Sequence, residues 1–436
     1  MKPWQVIEQL ESDNSRTFKE QLVQAQADAG NDEFFAGARL ALDNLITFGI
    51  KQVPTSEGGG KGLDWNQFKN TVDQLVSRTV TGNAARDAVA ALMQQATQQQ
   101  WDNWYRRILI KDLRCGVTEK TINTAVKRAK KPNYAVPVFE CQLAHDSANH
   151  QGKLTGQRQI ETKLDGVRVL TVVYPNGQVT QYSRNGKTLE NFPHIRQQFE
   201  QAVAVWNLTE PWVFDGEVMS ASFQDLMRQV YRKENVQSSD AVLYVFDCLP
   251  LRLFVKGRSD TPQQQRTSQV YLFHNAVADN SPNIRVLENE TVDLDTDQGQ
   301  QRFRELNAAA IAGGYEGIML KDVDAPYECK RSTAWLKLKP WIEVSLTVTA
   351  LEEGTGKNQG RLGALVCEGV DDGRLISVNV GSGFSDEQRD SIWATNVIGQ
   401  VAEVRADAVT QNQDGSWSLR FPRFERWRGF AQGEKL

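Results

Sequence analysis

The chain has 436 residues, of which 24% are charged and 40% hydrophobic, a composition of an ordinary soluble protein with two or three domains. No apolar run approaches the roughly 18 residues that a bilayer span needs, and the start Met1-Lys2-Pro3-Trp4-Gln5 lacks a signal-peptide core. A net charge of −4 does not advertise a polyanionic partner, and five scattered cysteines without a CxxC pair argue for reduced thiols in a cytoplasm and against a structural zinc site.

Residues 1 to about 130 are expected to be helical, because apolar residues recur at three- and four-residue spacing in 15–50, 64–78 and 83–113. The Gly-rich run Ser56-Glu57-Gly58-Gly59-Gly60-Lys61-Gly62 is read as a flexible connector. It is not a phosphate loop, since no Ser or Thr follows Lys61 and no apolar strand precedes it. The neutral average also hides a local asymmetry. Residues 102–131 hold nine basic groups against Asp102, Asp112 and Glu119, a net of +6. Such density suits contact with a phosphate backbone as well as it suits a solvated face.

Pro132, Pro137 and the polar stretch His145 to Gly156 predict a linker into a second domain. The period then changes to two. Arg168–Tyr174, the turn Pro175-Asn176-Gly177 and Val179–Tyr182 predict a β-hairpin. Strands and helices mix through Trp341. From Glu343 short strand patterns with Asp-Gly turns predict a small β-barrel. The expected domains are therefore 1–130, 131–341 and 342–436, and a monomer is the expected state.

Six stretches carry the chemistry. The first is Lys163-Leu164-Asp165-Gly166-Val167-Arg168, a lysine at the edge of an apolar alternation. Ser183-Arg184-Asn185-Gly186-Lys187, Phe214-Asp215-Gly216-Glu217-Val218 and Tyr244-Val245-Phe246-Asp247 follow. Tyr315-Glu316-Gly317-Ile318-Met319-Leu320-Lys321 and Trp335-Leu336-Lys337-Leu338-Lys339 complete the set, the last alternating so that both lysines are expected on one side. In order and spacing these resemble the nucleotidyltransferase motifs of ATP-dependent DNA ligases. Leu113-Arg114-Cys115-Gly116-Val117 and the helical part resemble the DNA-binding domain of T-even phage ligases. Val380–Phe384 and Arg420–Phe424 resemble the ligase OB-fold.

The resemblance implies a multi-domain α+β fold: an N-terminal all-α domain that binds DNA, a central α+β nucleotidyltransferase domain (ATP-grasp-like), and a C-terminal OB-fold β-barrel. It implies an enzyme that seals 3′-hydroxyl/5′-phosphate nicks in double-stranded DNA with ATP and Mg²⁺ (or Mn²⁺). Lys163 would carry AMP, with Lys337 and Lys339 neutralising charge on the α-phosphate. Glu217 and Glu316 would hold the metal ion, since Mg²⁺ favours a few carboxylate oxygens. Glu161, Arg168, Arg184, Glu217, Phe246, Lys337 and Lys339 would contact the nucleotide, and Arg420, Arg423 and Arg428 the pyrophosphate. Asp165 is expected to orient the loop. Arg106, Arg107, Lys111 and Arg114 are the candidate phosphate-backbone contacts.

One departure stands out. Relatives commonly carry an Asp-Lys pair after the last arginine, where this chain has Arg428-Gly429-Phe430-Ala431-Gln432, with Glu434-Lys435 later as a candidate substitute. The four histidines show no metal-ligand spacing, and His145 and His150 read as polar linker residues. An RNA ligase or capping enzyme would share the Lys163 chemistry. A non-catalytic OB-type DNA-binding protein is the reading from another class, and Lys163, Glu217, Glu316, Lys337 and Lys339, all present, argue against it.

Overall fold

A computed structural model describes residues 1–50, 52–220, 240–339, 341–412 and 414–428. Two compact units emerge, Met1–Glu140 with Tyr182–Thr188, and Cys141–Gln181 with Leu189–Leu436. Glu434 and Lys435 lie outside the described residues. No described helix is long and apolar enough to cross a membrane.

The first unit is built on helices Pro3–Glu11, Arg16–Asp28, Asp32–Leu42, Trp65–Val76, Gly82–Gln95 and Glu119–Arg128. Polar side chains start several of them. The Asp64 carboxylate accepts the Asn66 N–H at 2.9 Å, satisfying a donor that the first helical turn leaves open. The helix expected through residue 50 instead stops at Leu42, because Asp43 turns to extended backbone. A further helical stretch at 98–109 contains a π-helical turn, Trp101–Tyr105. Trp101, Trp104 and Tyr105 are all buried there, in one core with Phe34 and Phe68. Trp104 Nε1 is buried without a partner among the described residues, whereas Trp101 Nε1 donates to the Pro54 carbonyl at 2.8 Å and the Tyr105 hydroxyl to that of Leu63 at 3.1 Å. The Gly-rich connector is therefore fixed at both ends. Gly62 N–H also donates to the Gln95 carbonyl at 3.0 Å.

The main run of the second unit starts at Cys141. The segment read as linker contains the strand Leu143–Asp146, which pairs in parallel with Arg331–Leu338. It forms the edge of a five-stranded sheet that continues through Arg331–Leu338, Ile318–Asp322, Gln157–Thr162 and Asn289–Asp293. The remaining pairs are antiparallel. Ile160, Leu320 and Leu336 from its inner strands pack with Ala310 of the helix Asp297–Ala312. A second sheet runs through Val167–Val173, Trp212–Met219, Val242–Pro250 and Ile284–Val286, with Val179–Ser183 as the expected hairpin arm. Helix Pro193–Trp206 covers it through Ile195, Phe199 and Val203. The chain passes from the first sheet to the second at residues 163–166, so this crossing lies at the mouth between two packed sheets.

From Ile342 onward a seven-stranded sheet forms, in the order Ala408–Gln411, Trp417–Arg420, Arg374–Val380, Leu362–Asp371, Ile342–Glu353, Val401–Ala406 and Arg423–Trp427. The edge strand curls back until Phe424 N–H donates to the Ser382 carbonyl at 2.8 Å. Alternate residues such as Val344, Leu346 and Val348 fill one apolar core, as the period of two requires. The result is an OB-like sheet.

Candidate active site

Strand register explains why distant residues meet. Ile318 pairs with Thr162 on one side and with Leu338 on the other. The residues just beyond those ends, Lys163, Glu316–Gly317 and Lys339, must therefore be neighbours. Lys163 N–H donates to the Gly317 carbonyl at 2.9 Å, and its ammonium is paired with the Glu316 carboxylate. Lys339 Nζ lies 3.1 Å from the same carboxylate and 2.8 Å from Glu343. Burial works against ionisation of Glu316, but Lys163 and Lys339 bring its pKa below the ordinary carboxylate value. Glu343 follows the same logic: burial opposes its charge, and Lys339, Trp341 and Arg405 more than offset it.

Two glycines make the approach possible. Gly317 has φ +130°, and a Cβ there would lie 2.0 Å from the Leu338 carbonyl oxygen. A Cβ on Gly166 would lie 2.3 Å from the Val218 carbonyl oxygen. Gly166 thus lets the strand carrying Glu217 come close, and its N–H donates to Glu217 Oε1 at 3.2 Å. Burial pushes the Glu217 pKa up to about 7, against the pull of Lys163 and Arg168. Asp165 is raised by burial and by Glu316, and lowered by Lys163.

Behind this mouth lies a buried polar layer. Glu161 is 4% exposed and pairs at 2.7 Å with Lys321, which is fully buried. Lys321 Nζ donates to the Phe246 carbonyl at 3.2 Å and lies 4.5 Å and 4.4 Å from the ring centroids of Phe246 and Trp335. Arg168 spans Asp215 with both arms, at 2.8 and 2.6 Å, and donates to the Gln142 carbonyl at 3.0 Å. Tyr327 donates to the same Asp215 at 2.7 Å. Beside them Arg266 pairs with Asp247 at 2.8 Å, and Gln263 accepts from Trp335 Nε1 at 2.8 Å.

The other expected residues stand as follows. Arg168 gives its fork to Asp215. Lys337 Nζ lies 3.8 Å from Asp146, and burial lowers its pKa, with Lys339 and Lys163 also acting on it. Arg423 pairs with Asp407 at 2.9 Å, and Arg428 pairs with the buried Glu403, so both are held within the OB-like sheet. Arg420 is exposed beside Phe421. Arg184 stands in the turn after Val179–Ser183, in the first unit.

Three of the four basic residues singled out for DNA contact are used to build the helical unit. Arg107 is 8% exposed and donates to Glu11 at 2.7 Å and to the Leu113 carbonyl at 2.9 Å. Lys111 Nζ donates to the carbonyls of Leu40 and Asp43 at 2.7 and 2.6 Å. Arg106 Nε donates to the Val53 carbonyl at 3.0 Å. Arg114 is exposed, as are Lys120, Lys127, Lys130 and Lys131.

Sequence reasoning missed Lys321, Asp215 and Asp247 as framework charges. The available signal was an ionisable residue inside an otherwise apolar strand, which survives there only if paired. It also missed that His145 and His150 converge on Asp372, whose side chains offer ligand atoms within 4.8 Å of one another.

Residues 141–339 match the family of ATP-dependent DNA ligase domains, and residues 353–428 match the DNA ligase OB-like domain. A DNA ligase of Natronomonas pharaonis is 26% identical over 457 residues, covering 88% of this chain and 79% of its own. A DNA ligase of Methanococcoides burtonii is 30% identical over 301 residues, covering 62% of this chain and 50% of its own, so the chain spans about half of that relative's length. The solved structure named Pmar-Lig_PreS3 is 51% identical, covers 99% of this chain and 100% of its own, and superposes with a TM-score of 0.54. The fold and these likenesses define a nucleotidyltransferase with an OB-like domain. The chain belongs to the ATP-dependent DNA ligase family. The two DNA ligases named here come from archaea and do not carry the narrower likeness to T-even phage enzymes.

Proposed function

We propose that the chain seals nicks in double-stranded DNA through a lysyl-AMP intermediate on Lys163. The observation that supports this reading best is the convergence of Lys163, Glu316 and Lys339 from three segments far apart in sequence. In the first step the Lys163 amine, having lost its proton, attacks the α-phosphorus of ATP. A P–N bond forms, and the P–O bond to pyrophosphate breaks. AMP then passes to the 5′-phosphate of the nick, releasing the amine, and the 3′-hydroxyl displaces AMP. Lys339 and Lys337 supply positive charge beside the α-phosphate. Glu161 and Lys321 present hydrogen-bonding groups for the adenine edge, and Phe246 offers its ring for stacking. Arg168 positions Asp215 and the strand that carries Glu217. Arg184 contributes to ribose or phosphate contact.

Glu217 and Glu316 are oxygen donors of the kind that Mg²⁺ or Mn²⁺ accepts, and the site's acidic set fits such an ion. When bound, it would screen the charge of the phosphates. Three functional domains are proposed, 1–130, 131–341 and 342–436, with the OB-like domain joined through Lys339 and Trp341. The helical part would grip phosphate backbone through Arg114 and the exposed lysines of 120–131. The Leu113–Val117 stretch is what supports a T-even type of DNA grip. The protein would act as a monomer in the compartment that holds the DNA.

Peptide mapping by mass spectrometry after incubation with ATP and Mg²⁺ tests the nucleophile. An AMP adduct on the peptide bearing Lys163, absent from Lys163→Ala together with all sealing, is expected. Sealing by Lys163→Ala at the wild-type rate would place the nucleophile elsewhere.

A further inference from the structure

His145 and His150 belong to the nucleotidyltransferase part, in the strand Leu143–Asp146 and the short turn that follows. Asp372 comes from the OB-like sheet, in the Asp-Gly turn between the strands Leu362–Asp371 and Arg374–Val380. Its φ of +50°, followed by Gly373 at +77°, is the backbone of a tight hairpin turn and carries the carboxylate out at the tip. His145 Nδ1 lies 3.1 Å from Asp372 Oδ1, and His150 Nε2 lies 3.2 Å from Asp372 Oδ2. The imidazole centroids are 4.5 Å apart. His150 Nε2 is buried and makes no aligned hydrogen bond in spite of that short distance. Arg374 Nη1 donates to Asn149 Oδ1 at 3.0 Å, so the hairpin tip is held against the same segment twice.

We infer that His145, His150 and Asp372 form a binding site for a zinc-class divalent ion that links the nucleotidyltransferase domain to the OB-like domain. Two imidazole nitrogens and one carboxylate oxygen are a borderline donor set. It suits Zn²⁺, Co²⁺ or Ni²⁺ and is a poor match for Mg²⁺, which the active-site carboxylates suit better. Three protein ligands leave a fourth position for water. The adjoining cavity is lined by Asp146, Asp371, Asp372 and Glu343 against Arg331 and Lys337, an excess of two negative charges that favours a cation. Neither half of the site is complete alone, so the ion ties the two domains together in the arrangement seen here. The donors are ordinary surface residues until the chain folds, which is why their sequence spacing gave no sign.

The test uses the untagged full-length protein, freed of metal by chelation and titrated with Co²⁺ and with Zn²⁺. One Co²⁺ per chain is expected, with the visible absorption of a four-coordinate site and no sulfur-to-metal band. Zn²⁺ should displace it. His145→Ala and Asp372→Asn should each weaken binding at least tenfold, and His150→Gln provides a third variant should either of those melt early. Failure of the wild-type protein to bind, binding unchanged in the folded variants, or a spectrum showing thiolate ligation would each overturn the site. Self-adenylation by the metal-free protein supplied with Mg²⁺ alone should persist, which separates this inference from the assignment of Lys163.

Discussion

Glu161 and Lys321 show what one buried charge demands of another. Lys321 is fully buried and Glu161 nearly so, and burial raises the glutamate pKa even though the ammonium 2.7 Å away pulls it down. Lys321→Met leaves an uncompensated carboxylate and is expected to cost about 3–5 kcal/mol in urea unfolding. The double variant Glu161→Gln/Lys321→Met should recover most of that stability without recovering adenylation. Equal losses in single and double variants would show that the ion pair is not the source. Lys111 gives a pH-dependent case. Burial lowers its pKa from 10.5 to about 8, with Asp43 opposing. A lysine with a depressed pKa sheds its proton in the folded chain before the unfolded one. Its burial cost is therefore complete below about pH 8 and is relieved as pH rises toward 10.5. The stability of wild type relative to Lys111→Met should accordingly increase between those values in denaturant titrations, and a flat difference would refute the shift.

At the scale of elements, the basic stretch divides into structural and presented charges. Arg107→Ala removes a guanidinium that satisfies the carbonyls of Asp102 and Leu113, so the helical unit should melt earlier and adenylation should suffer only through lost protein. Lys127→Ala/Lys130→Ala/Lys131→Ala should instead leave the melting point unchanged and weaken nick binding in fluorescence anisotropy. Each lost phosphate contact should reduce the slope of log K against log salt by about 0.9. An unchanged slope would move the DNA grip to another face. Much of the element layout was legible in sequence. The hairpin showed in the alternation of Arg168–Tyr174 and its Pro-Asn-Gly turn, and the OB-like strands in their Asp-Gly turns. The strand Leu143–Asp146 was not, since four residues between two prolines and a polar run carry too little periodicity to register. What turns them into a strand is the edge offered by Arg331–Leu338, nearly two hundred residues away. The same reason hides the meeting of His145 and His150 with Asp372. Lys163, Glu316 and Lys339 were legible only through their motifs, because no local pattern says that three strand ends share one sheet edge.

For the molecule as a whole, several separate apolar cores divide the work. The helical unit has its own core, each nucleotidyltransferase sheet has one, and the OB-like sheet has another. The candidate site lies where the chain crosses between the two sheets, so its lysine and carboxylates can be held without being part of either core. Family membership establishes the class of enzyme. The use of Lys163 as carrier of AMP and of nicked DNA as acceptor is the central claim. It is tested most directly by a pulse with ATP labelled at the α-phosphate and Mg²⁺, followed by a chase with 5′-phosphorylated nicked DNA or nicked RNA. Covalent label on the protein that nicked DNA discharges, with a sealed strand as product, is the predicted result. Label discharged by RNA alone, or label obtained from adenylate-tagged NAD but not from ATP, would contradict it.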